Sequence, residues 1–161
     1  MEALMELFGD AVERELPHLM RNRVRARFLG RRDRAPEKVR ATMAKLEATT
    51  AENDRMTLWI AFDYGGRAEI VEAARRLVEE GIDPRDVDEN AIASRLFAPD
   101  LPEPDLLIRT SGEMRTSNFL LWQAAYSELV FVDTLWPDFG ERDLARALEE
   151  YATRQRRFGG R

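Results

Sequence analysis

Between residues 105 and 123 the chain reads Asp-Leu-Leu-Ile-Arg109-Thr-Ser-Gly-Glu113-Met-Arg115-Thr116-Ser117-Asn-Phe-Leu-Leu-Trp-Gln. Two arginines, several hydroxyls and a glycine follow one apolar run and precede another. Arginine offers a planar, permanently charged fork that matches two phosphate oxygens at once. Thr116 and Ser117 stand directly before Phe119-Leu120-Leu121-Trp122, where a helix cap is expected. Their hydroxyls and the first free backbone N–H groups would then face the same anion as Arg109 and Arg115. The chemistry indicated is the binding of a phosphate or diphosphate. Spacing leaves a second reading open, a solvated loop whose arginines are salt-bridged to nearby carboxylates. Glu113 is read as such a partner for Arg109 or Arg115.

The scaffold that must hold this loop alternates helix and strand. Leu4, Leu7, Phe8, Ala11, Val12, Leu16 and Leu19 recur at helical spacing, with Pro17 near the end as a bend point. Val24, Ala26 and Phe28 alternate with Arg23, Arg25 and Arg27, the period-two pattern of a strand ending at Gly30. Residues 33–53 read as a helix with Pro36 near its start. Residues 56–62 form a nearly unbroken apolar run that suits a buried parallel strand. Tyr64-Gly65-Gly66-Arg67 then turns the chain into a helix over 68–80, stopped by Gly81. The two glycines are read as a tight turn rather than a phosphate cradle. Asp88 caps a short helix through Phe97, and three prolines make 98–104 a loop. A strand over 106–110, a helix over 118–126, a strand over 129–132 and a helix over 141–157 complete the order. The fold class is α/β, a parallel sheet with helices on both faces, and ligands in such sheets bind beyond the carboxyl ends of the strands. Arg109 sits at one such end, Asp63 and Tyr64 at another. Trp122, Trp136 and Phe139 are expected in the core.

Composition narrows the classes. A chain of 161 residues with 44% apolar content supports one sizeable core. No apolar run is long enough to span a bilayer, so a cytoplasmic location is expected. Cysteine is absent, which removes disulfides and thiolate metal sites. Of the 25 basic residues only Lys38 and Lys45 are lysine, and the net charge is −5. Without a like-charge block or aromatics interleaved with basic residues, a nucleic-acid surface is not expected. His18, the single histidine, is read as a surface or capping residue.

The 105–123 run resembles the cis-prenyltransferases, of which undecaprenyl diphosphate synthase is the best-known bacterial type. Trp59-Ile-Ala-Phe-Asp-Tyr-Gly-Gly-Arg67 upstream and Ser127-Glu-Leu-Val-Phe-Val-Asp-Thr-Leu-Trp-Pro-Asp-Phe139 downstream share the likeness, which runs from Leu4 to Gly160. It implies condensation of isopentenyl diphosphate onto an allylic prenyl diphosphate, giving a cis-polyprenyl diphosphate. By the same resemblance Arg109, Arg115 and Ser117 grip the isopentenyl diphosphate, Thr116 supplies backbone between them, and Glu128 is a carboxylate of a Mg2+ site. Leu7, Phe8, Val12, Leu58 and Ile60 become candidates for lining the tunnel that holds the growing chain, or simply for the core.

Two family motifs are not found: an Asp-Gly-Asn-Gly-Arg-Trp loop carrying the catalytic aspartate, and a Ser-x-Glu-Asn-Trp motif. Residues 1–8 resemble the helix that follows both. The expectation is therefore one domain over 1–161 equivalent to the C-terminal two thirds of the family's, with its first two strands missing. No catalytic residue is assigned, and the chain alone is expected to be inactive. Met114 stands where bacterial relatives often carry histidine, and a thioether can neither donate a proton nor hold a phosphate. Arg157 and Gly159 match a C-terminal Arg-x-Gly motif that crosses the dimer interface in relatives. A homodimer, or a heterodimer with an intact homologue, is expected, with transient contact at the inner membrane surface allowed. The second functional reading is a non-catalytic subunit that completes such a homologue.

Overall fold

The structure, a computed structural model, describes residues 2–154, with side chains from residue 9 onward. Its contacts divide into two units, Met1–Tyr64 and Gly65–Arg161, each carrying one pair of parallel strands. The expected α/β class is met: the strands pair in parallel, and helices separate successive strands except the last two, which no helix separates among the described residues.

In the first unit α1 (Glu2–Arg21) leads into β1 (Val24–Leu29), α2 (Glu37–Thr49) and β2 (Met56–Ala61). Alternation in β1 does what the pattern requires, burying Val24, Ala26 and Phe28 while Arg25 stays exposed. Ala26 and Phe28 join Ala35, Val39, Met43 and Leu46 in a core against which Val12, Leu16, Leu19, Ile60 and Phe62 pack. The helix expected over 33–53 is shorter. A 3-10 turn occupies Arg32–Arg34, and the helix starts only after Pro36, because a residue before proline is driven out of the α region.

Side chains close the outer edge of β1. Ala26 N donates to Thr50 Oγ1 at 3.0 Å, and Phe28 N donates to Glu47 Oε1 at 2.9 Å. β2 pairs in parallel with β1 from Val24↔Met56 to Leu29↔Ala61. It is not the buried strand its apolar run suggests: Met56 is 54% and Leu58 38% exposed. Among the described residues β2 has one partner strand, so its apolar residues are only partly covered.

In the second unit α3 (Gly66–Glu79), α4 (Glu89–Ala93), β3 (Leu106–Arg109), β4 (Glu128–Phe131) and α5 (Glu141–Ala152) follow in order. Asp88 caps α4 through Ala91 N at 2.7 Å, as expected, though the helix ends at Ala93. Gly81 takes φ +68 just past α3. β3 and β4 pair from Leu106↔Glu128 to Arg109↔Phe131, and α5 packs on β4. Asp143 organises the start of α5, accepting from Gly140 N at 3.1 Å and from Thr134 Oγ1 at 2.8 Å. These bonds hold its carboxyl below the ordinary 3.8, led by the Gly140 amide.

Two expectations fail here. Residues 118–126 are a run of turns, not a helix. Ser117, Asn118 and Leu120 take φ of +49, +66 and +46, values that no continuing right-handed helix tolerates. Trp136 is not core either; it is 74% exposed and stacks on Phe139 with centroids 5.9 Å apart. Helix α5 ends at Ala152, short of the expected Arg157, which lies outside the described residues.

Candidate functional site

The end of β3 and the loop after it carry two cationic side chains, Arg109 and Arg115, bound to one carboxylate. Arg109 is the last residue of β3, so strand pairing fixes its backbone: Val132 N donates to Arg109 O at 2.8 Å. Ser111 and Gly112 both take positive φ and turn the chain back over the end of β4, where Ser111 N reaches Thr134 O and Gly112 N reaches Val132 O, each at 2.9 Å. A side chain at Gly112 would stand 3.0 Å from Asp133 Oδ1, so glycine serves a close approach as well as the turn.

Glu113 is the partner the sequence indicates, and for both arginines together. One carboxylate oxygen accepts from Arg109 and the other from Arg115. Two guanidinium groups thus converge on one point at a partly exposed position. Among the described residues Arg109 Nε is buried without a hydrogen-bond partner. Arg109 and Thr116 line a cavity of about 310 Å³ with Leu106, Phe119, Leu120 and Trp136 among its other walls. The result is a basic rim over a largely apolar recess.

Thr116 and Ser117 lie within this loop but do not cap a helix, since residues 118–126 form turns. Thr116 O accepts from Phe119 N at 3.0 Å in a turn, and Ser117 is exposed. The turn segment beyond Ser117 is fastened by a polar pair that sequence reasoning missed. Glu69 of α3, fully buried, accepts from Phe97 N at 3.0 Å and from Gln123 Nε2 at 3.1 and 3.2 Å. A glutamate on the inner face of a helix is the one trace of this in the sequence.

Glu128 is not brought to the arginines. It opens β4 opposite Leu106, while Arg109 closes β3 opposite Phe131. Arg154 binds its carboxylate at 3.3 Å, and Arg154 is held further toward its charged form by Glu150 and then by Glu128. Among the described residues no three His, Cys, Asp or Glu converge as a metal site. The donors of a single chain therefore do not fit a protein-built magnesium cage at Glu128. Arg157 and Gly159 lie outside the described residues, as do the side chains of Leu7 and Phe8.

The first unit carries a second basic cluster that the sequence did not reveal. At the carboxyl ends of β1 and β2, Arg31 and Arg34 reach Asp63 Oδ2 at 3.4 and 3.3 Å. The tunnel candidate Val12, with Leu16, Val39 and Leu46, lines a groove of about 380 Å³ between α1 and α2, edged by Lys38 and Lys45. No helix among the described residues is long and apolar enough to cross a membrane.

Comparison with known proteins places these features in a family. The sequence profile of the undecaprenyl diphosphate synthase family matches residues 1–159. An isoprenyl transferase of Thermotoga maritima is 52% identical over 99% of this chain and 70% of its own length. A ditrans,polycis-undecaprenyl-diphosphate synthase specific for (2E,6E)-farnesyl diphosphate, from Xanthomonas axonopodis pv. citri, is 49% identical over 99% of this chain and 63% of its own. The crystal structure of lavandulyl diphosphate synthase from Lavandula x intermedia, in complex with dimethylallyl diphosphate, superposes with a TM-score of 0.91. That protein is 38% identical, over 97% of this chain and 70% of its own.

Proposed function

The chain belongs to the undecaprenyl diphosphate synthase family of prenyltransferases, and from that premise we propose that it serves the condensation of isopentenyl diphosphate with an allylic diphosphate to give a cis-polyprenyl diphosphate. The convergence of Arg109 and Arg115 on one anionic group carries this reading. Where Glu113 now satisfies both forks, a diphosphate would offer oxygens to each. Arg109, Arg115 and Ser117 are its ligands, with Thr116 contributing backbone. The apolar recess under Arg109 suits a ligand with an anionic head and a hydrocarbon body.

On this proposal residues 1–161 act as one domain. Magnesium enters with the diphosphate rather than in a protein cage, since this ion keeps most of its shell as water and substrate phosphate. Relatives that match over 99% of the chain are named isoprenyl transferase or undecaprenyl-diphosphate synthase, which favours an isoprenyl transferase over a non-catalytic subunit. A second copy of the chain is the proposed partner, and the cytoplasm its location.

Calorimetric titration with isopentenyl diphosphate tests the assignment. The wild-type chain is expected to bind it, and the Arg109→Ala/Arg115→Ala double variant to lose binding. Equal titrations for the two proteins would overturn the reading.

A further inference from the structure

Helix α3 begins without a side-chain cap of its own, because Gly65 occupies the cap position. Its first two amides nevertheless both point at one residue of the anion loop. Gly66 N donates to Asn118 O at 2.8 Å, and Arg67 N donates to Asn118 Oδ1 at 2.9 Å. Asn118 holds φ +66, a conformation that asparagine adopts more readily than nearly any other non-glycine residue. The glycine pair makes the approach possible. A side chain at 65 would stand 2.8 Å from Asn118 Nδ2, and one at 66 would stand 2.8 Å from Leu121 Cγ.

The other end of the loop is fastened independently, by Ser111 N to Thr134 O and Gly112 N to Val132 O. Arg115, Thr116 and Ser117 therefore hang between two fixed points, and the nearer anchor on the second side is Asn118, through its side chain and its carbonyl. We infer that Asn118 is a positioning residue of the diphosphate site: by capping α3 from outside the helix it fixes the backbone at Ser117 and, through it, the place of Arg115. This rests on the reading of Arg109 to Ser117 as a diphosphate loop. Asn118 also occupies the first two amides of α3.

Asn118→Gly keeps the left-handed backbone and the carbonyl acceptor and deletes only the side-chain cap. It is expected to weaken the binding of inorganic diphosphate, read by calorimetry, about five- to tenfold, the size of effect a lost cap supports. Amide exchange over residues 113–117 should quicken by a similar factor while β3 and β4 keep their protection. Asn118→Asp retains the acceptor and should return the loop's exchange to that of wild type; exchange is the rescue readout because aspartate adds a charge beside the anion. Arg109→Ala separates the two claims. If wild type and Arg109→Ala bind inorganic diphosphate equally poorly, the loop is not a diphosphate site, and exchange alone then shows whether Asn118 fastens it. If Asn118→Gly melts lower but keeps both wild-type affinity and wild-type loop exchange, Asn118 is only a helix cap and the inference falls.

Discussion

Arg109 and Glu128 lie at opposite ends of the same parallel strand pair, Arg109 closing β3 and Glu128 opening β4. Three residues of strand separate them in register, roughly 10 Å along the strand axis, and each has its own partner, Arg109 in Glu113 and Glu128 in Arg154. Within one chain the loop and Glu128 should therefore act independently. In the absence of divalent metal, Glu128→Ala should leave the affinity for isopentenyl diphosphate unchanged. Arg109→Ala should reduce it at least tenfold, since a hydrogen bond to a charged group contributes about 1.5–3 kcal/mol. Parallel titrations in chelator decide the matter; matching losses for the two variants would show that both residues touch one ligand.

Glu113 offsets the repulsion between two guanidinium groups and so keeps them convergent. Its removal should scatter them. Glu113→Gln is expected to weaken diphosphate binding severalfold and to steepen its dependence on salt, because less of the site is preorganised and more is long-range attraction. Tighter binding in Glu113→Gln would mean instead that the carboxylate only competes with the ligand.

Much of this was legible in the sequence because each element has a local cause. The alternation in Val24–Leu29, Asp88 as a cap, Gly81 as a stop and Glu113 between two arginines come from period, cap chemistry and charge spacing. Residues 118–126 defeated the same reasoning. An apolar run after two hydroxyl residues resembles a helix start, yet positive φ at Ser117, Asn118 and Leu120 is imposed by the dock of Asn118 on α3, whose first residues lie some fifty positions away. The Glu69–Gln123 pair and the Arg31, Arg34 and Asp63 cluster were missed for the same reason, as they depend on which strand and helix ends meet. β2 was misread as buried because an apolar run reports what a strand could bury, not how many neighbours it has.

Acid should act on α5 through Asp143. Its folded-state pKa lies below the ordinary 3.8, chiefly through the Gly140 amide and then the Thr134 hydroxyl. A depressed carboxyl contributes stability that is present above its unfolded value and is lost as pH falls through the lower folded value. Asp143→Asn should therefore be less stable than wild type at neutral pH, with the gap narrowing below about 3.8. Glu80 and Asp83, held below their ordinary values by Arg95 and Arg85, are present in both proteins and cancel in the comparison. Urea midpoints of the pair across this range test it; a gap that stays constant with pH would remove Asp143 from the account.

Helix α5 presents Leu144 and Leu148, 43% and 48% exposed, one turn apart on the same face. Tyr126, Leu135 and Trp136 are exposed by more than half in the same unit. Apolar surface of this kind favours association. The chain should elute as a dimer or larger species at micromolar concentration, and Leu148→Glu should shift it toward the monomer without a fall in helix content. Light scattering on the eluate reads the mass directly. A monomeric wild type, or a variant whose mass is unmoved, would count against α5 as the contact.

Glu69 and Gln123 should behave as one unit in folding. Glu69 is completely buried, and its carboxylate serves Phe97 N and Gln123 Nε2. Glu69→Ala leaves the buried Gln123 amide and the partly buried Phe97 N without that acceptor, at a cost of about 3 kcal/mol, enough to lower the melting temperature by several degrees. Gln123→Glu is the sharper probe, since it sets a second carboxylate beside the first in a site closed to water. That variant should be destabilised at neutral pH and recover in part on acidification, as one of the two carboxylates takes up a proton. The exchange Glu69→Gln/Gln123→Glu restores one amide facing one carboxylate and should return most of the lost stability. A double variant no more stable than Gln123→Glu alone would mean that burial at position 69, rather than the pairing of these two residues, sets the stability of the turn segment beyond the anion loop.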